Sequence, residues 1–76
     1  MSQQDVYEIL KKFNKPLTRT QIAEELNEDP NKVSVLIKKL IIHKEINFIE
    51  IDRIKSKELF GDKAPKRRLR LYYIIS

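Results

Sequence analysis

The sequence predicts an α+β domain in which three helices precede a two-stranded β-hairpin. Apolar residues recur at helical spacing three times before residue 45, and each recurrence follows a residue type that starts helices. The period then drops to two. Ile46, Phe48, Ile49 and Ile51, and later Leu69, Leu71, Tyr73 and Ile75, lie in runs rich in β-branched and aromatic residues. Between them sits the chain's single glycine, Gly61, a natural turn residue.

The first helix is expected over about residues 3–14. Ser2 and Asp5 form an S-x-x-D capping box at its start. Val6, Ile9, Leu10 and Phe13 make one apolar stripe, and Lys11 and Lys12 suit the negative end of the helix dipole. Pro16 drives Lys15 out of helical geometry and stops the helix. Residues 15–17 are then extended and suit a short edge strand. Thr18 and Gln21 make a second capping box, T-x-x-Q, which starts a helix over about residues 19–27. Ile22, Ala23 and Leu26 form its inner side, and the small Ala23 allows close crossing by a neighbour. Glu24, Glu25 and Glu28 lie outside.

The third helix, about residues 30–44, carries the strongest local signal. Asp29 accepts from the first free backbone N–H groups, and Pro30 suits the first turn. Val33, Leu36, Ile37, Leu40 and Ile41 fall in one arc that faces a core. The opposite side carries Asn31, Ser34, Val35, Lys38 and Ile42, flanked by Lys32 and Lys39. Only Asn27, Glu28 and Asp29 separate this helix from the one before it, so the two turn sharply on each other as a helix-turn-helix.

A hairpin over about residues 46–75 completes the domain. Its strands are expected at residues 46–52 and 69–75, joined by a polar connection with its turn near Phe60 and Gly61, so that Ile46 lies opposite Ile75. That register places Leu69, Leu71, Tyr73 and Ile75 toward the core and leaves Tyr72 on the other face, open to a partner. Leu59 and Phe60 suit an exposed loop poorly: they fold back on the sheet or mark a contact surface.

Seventy-six residues make one domain with one core, expected to span the whole chain. With no Cys, one His and one Gly, the sequence lacks disulfides, thiolate chemistry, a multi-His metal site and a Gly-rich phosphate loop. Glu24, Glu25, Glu28 and Asp29 form a solvated helix end without a convergent partner, and His43 suits a helix C-terminus better than catalysis. No enzyme activity and no cofactor are therefore expected. The apolar runs are too short to span a bilayer and MSQQDVYE is no signal peptide, so a soluble, cytoplasmic protein without a membrane partner is expected.

The charge is divided unevenly. Residues 30–44 hold four basic and no acidic groups, residues 63–76 five and none, while residues 1–29 and 45–62 each carry a net charge of −2. All of the +5 excess thus sits in two blocks, a pattern that suits a polyanion.

LTRTQIAEELNEDPNKVSVLIKKL, followed by INFIEI and RLRLYYII, resembles a winged helix-turn-helix DNA-binding domain of the small transcriptional-regulator type. The resemblance covers essentially the whole chain. It implies a three-helix core with a C-terminal β-hairpin wing, the third helix in the major groove of double-stranded DNA and the wing on the backbone or minor groove. The implied contacts are Asn31, Lys32, Ser34, Val35, Lys38 and Lys39 on the recognition helix. Thr18, Arg19, Thr20 and Gln21 would lie at the start of helix 2, and Lys63, Lys66, Arg67 and Arg68 on the wing. No arginine stands on helix 3, which disfavours guanine readout. The function so implied is transcription regulation by a nucleoid-associated protein, with homodimerisation through helix 1, the hairpin or Ile42. The alternative is a protein–protein interaction module in a transcription or replication assembly, for which Val35, Ile42, Leu59 and Phe60 would be the contacts.

Overall fold

The computed structural model describes residues 2–63 and 69–75. Its helices are α1 (Gln3–Phe13), α2 (Arg19–Leu26), α3 (Pro30–Ile42) and α4 (Arg53–Phe60), with a 3-10 turn at Gly61–Lys63. Strands β1 (Ile46–Ile51) and β2 (Leu69–Ile74) pair antiparallel, giving an α+β architecture.

The expected caps form. Asp5 Oδ2 accepts from the Ser2 backbone N–H at 2.9 Å. The Gln21 N–H donates to Thr18 Oγ1 at 3.0 Å while the Thr18 N–H donates to Gln21 Oε1 at 2.9 Å, so two orphan donors are satisfied reciprocally. Asp29 Oδ1 accepts from the Asn31 N–H at 2.8 Å. Asn14 and Asn27 close α1 and α2 in the left-handed conformation, which asparagine tolerates better than most residues. The third helix ends at Ile42, two residues before the expected Lys44, because Lys44 itself adopts a φ of 60°.

One core joins the helices to the hairpin. Val6 and Leu10 of α1, Ile22 and Ala23 of α2, and Val33, Ile37 and Leu40 of α3 meet Leu17, Ile46 and Tyr72 in a single buried cluster. Leu36 and Ile41 pack against it from the margins of α3, as their place in the arc requires. The extended segment before α2 joins the sheet at one residue: Leu17 and Tyr72 exchange backbone hydrogen bonds of 2.9 and 2.7 Å.

Two expectations about the hairpin fail. The register pairs Ile46 with Ile74 and Phe48 with Tyr72, one residue from the predicted alignment. A slip of one residue exchanges the β2 faces relative to β1, although Leu71, expected to face inward, remains buried at 7% exposure. Tyr72 is therefore a core residue, 9% exposed, with its ring centroid 6.0 Å from that of Phe48. The second failure concerns the connection, which is no simple polar loop. Asp52 Oδ1 accepts from the Lys55 N–H at 2.8 Å and starts α4, and Gly61, at a φ of 63°, ends it.

Because Tyr72 directs its N–H and C=O toward Leu17, the alternation of an antiparallel ladder turns those of Phe48 away from β2, toward the outer edge of β1. There the Asn47 side chain accepts from the Phe48 N–H at 2.8 Å. No helix among the described residues is long and apolar enough to cross a membrane.

Candidate nucleic-acid interface

Helix α3 positions six of the fourteen predicted contact residues. Its inner face is fixed by Val33, Ile37 and Leu40, so its outer face has a defined orientation. At 100° per residue Asn31, Val35, Lys38 and Ile42 fall within about 60° of one another, opposite that anchor. All four are exposed, with Val35 at 53% and Ile42 at 75%. Lys32 and Lys39, also exposed, flank this stripe on one side, and Ser34, half-buried, lies on the other.

The electrostatics of this face are one-signed. Lys32 Nζ lies 3.9 Å from Glu28 of the preceding turn. Among the described residues Lys38 and Lys39 have no acidic partner, and α3 itself contains no acid. An exposed pair such as Lys32–Glu28 contributes little and breaks readily when a phosphate competes.

The start of α2 divides. Thr20 is exposed and Arg19 half-buried, both placed at the helix N-terminus where backbone N–H groups favour anions. Thr18 leaves the set of contact residues: it is 7% exposed and its hydroxyl holds the cap. Gln21 is half-buried, and its carboxamide oxygen completes the same cap.

On the hairpin connection, Lys63 closes the 3-10 turn, while Lys66, Arg67 and Arg68 lie outside the described residues. Arg70, part of the same basic block, points back to the sheet. Its Nε donates to Glu50 Oε1 at 3.0 Å and its guanidinium sits 4.6 Å from the Phe48 ring centroid. Both contacts hold the guanidinium against the sheet while the side chain stays exposed.

Sequence reasoning missed α4, which places Arg53, Lys55 and Lys57 on an exposed helix beside Ile54 and Leu59. The signal was present: Asp52 as N-cap and Gly61 as the residue after the last turn frame an eight-residue helix. No group of His, Cys, Asp and Glu suited to a metal ion occurs among the described residues. Compared with protein-family models, with curated proteins and with solved structures, the chain finds no match.

Proposed function

We propose that the chain binds double-stranded DNA as a winged helix-turn-helix protein and regulates transcription. Helix α3 would seat in the major groove and the connection containing α4 would lie alongside as the wing. The observation that carries this reading is the outer face of α3, an exposed stripe with Lys38 in it and Lys32 and Lys39 along one margin, on a helix that contains no acid and is anchored from behind. Lysines on such a helix suit phosphates, and the uncharged residues beside them suit base edges. The helix order and the antiparallel hairpin agree with the layout such a protein needs. Pairing two copies on a two-fold-symmetric site would enlarge the small contact area of one module. Action on DNA would place the protein at the nucleoid.

Mobility-shift titration of a random-sequence duplex across a salt series tests the reading. If roughly 6–8 basic groups meet phosphates, log affinity should fall with log salt at a slope of about −5 to −7. A flat response sinks it.

A second reading, a module that docks on another protein, draws on the exposed Ile42, Ile49, Ile54 and Leu59. It predicts a partner retained on the immobilised chain after nuclease treatment and released by Ile42→Lys. Loss of every retained protein on nuclease treatment counts against it.

A further inference from the structure

We infer that α3 selects A·T base pairs in the major groove, Asn31 by paired hydrogen bonds to adenine and Val35 by contact with a thymine methyl group. The inference rests on the DNA-binding reading above and adds which bases are chosen and by which residues.

Asn31 stands in the first turn of α3 and is exposed. Its backbone N–H is fixed by Asp29, whereas its carboxamide has no hydrogen-bond partner among the described residues. A carboxamide presents one donor and one acceptor side by side, the pattern complementary to adenine N6 and N7. Guanine presents two acceptors there, which a carboxamide does not match.

Val35 is one helical turn further on, about 6 Å along the axis and on the same outward stripe. At a spacing of about 3.4 Å per base along a strand, that offset reaches roughly two base pairs past the adenine. The thymine C5 methyl is the apolar group of the major groove, and an exposed β-branched side chain between Asn31 and Lys38 on this stripe has no better partner there. Lys38 occupies the next turn of the stripe as a point charge that a phosphate satisfies.

The probes are three duplexes of equal length: alternating A·T, alternating G·C, and the A·T duplex with every thymine replaced by uracil. Uracil pairs as thymine does but lacks the methyl group, so this exchange changes the major groove and leaves the minor-groove edge alone. The unmodified chain should bind A·T about tenfold more tightly than G·C. The uracil duplex should bind about fourfold more weakly than its thymine parent. Val35→Ala should erase the thymine–uracil difference while keeping the preference over G·C, and Asn31→Ala should erase most of that preference. Both positions are exposed on a helix, so these variants keep the core intact.

Equal affinity for all three duplexes, with steep salt dependence retained, overturns the inference and leaves DNA binding standing. A thymine–uracil difference that survives Val35→Ala overturns the assignment to Val35. If no duplex binds at any salt concentration, the inference falls together with the function on which it rests.

Discussion

Lys38→Glu combined with Lys39→Glu should abolish duplex binding. Each exchange removes a positive charge and adds a negative one, so the net charge of +5 falls to +1. More important is where the change falls. Both side chains are exposed on the helix proposed to enter the groove, and neither holds an ion pair among the described residues, so their reversal costs the fold little beyond the dipole contribution of Lys39 in the last turn. Each lost phosphate contact reduces the salt slope by about 1, and two carboxylates then face the phosphates at close range. The combined effect should be about a hundredfold or more at low salt. Glu24→Gln, an exposed change on α2 that also alters net charge, should leave binding nearly unaltered. Markedly tighter binding by Glu24→Gln, which raises the net charge to +6, would mean that net charge, not α3, governs association.

Leu40→Ala should have the largest effect on stability. Leu40 is 1% exposed and lies in the cluster where α3 meets the rest of the core. Removing a buried leucine side chain costs about 2–5 kcal/mol, because the surroundings fill the cavity only in part. A 76-residue chain has a total stability of about 4–11 kcal/mol, so a large share would be lost. The melting temperature should fall by about 10–25 °C in thermal denaturation followed by far-ultraviolet circular dichroism. Ile42→Ala, two positions later but 75% exposed, should move it only slightly. Equal shifts in the two variants would contradict the division of α3 into a buried and an open face.

What the sequence disclosed well was what short-range chemistry decides. Thr18 with Gln21 and Asp29 with Pro30 fix helix starts through groups three residues apart or fewer, so the pattern itself contains the answer. The inner arc of α3 was likewise legible, since 3.6-residue periodicity allows only one face for Val33, Ile37 and Leu40.

The hairpin was not legible, for a different reason. A tight turn specifies register, but Ile51 and Leu69 are joined here through α4 and the 3-10 turn, and such a connection leaves register to side-chain packing. Both possible β2 faces carry apolar residues: Leu69, Leu71 and Tyr73 on one, and Tyr72 and Ile74 beside Arg70 on the other. Pattern alone therefore could not choose between them. Long-range bonds from Leu17 to Tyr72 and the Phe48–Tyr72 ring contact stand on the side of Tyr72. Of the candidate contacts, those on α3 depended on periodicity and came through as exposed or half-exposed. Thr18 did not, because one hydroxyl served two readings and the cap claimed it.

The small bond between Asn47 and the Phe48 N–H bears on how this chain behaves in a crowded solution. INFIEI and LRLYYII are the kinds of segment that stack into fibrils when an open strand offers them a template. Growth of such a stack begins by recruiting outward-pointing amide groups, and in the middle of β1 that donor is already occupied by a neighbouring carboxamide. Asn47 thus removes one donor from the row that an added strand would need, and does so with neither a charge nor a proline of its own.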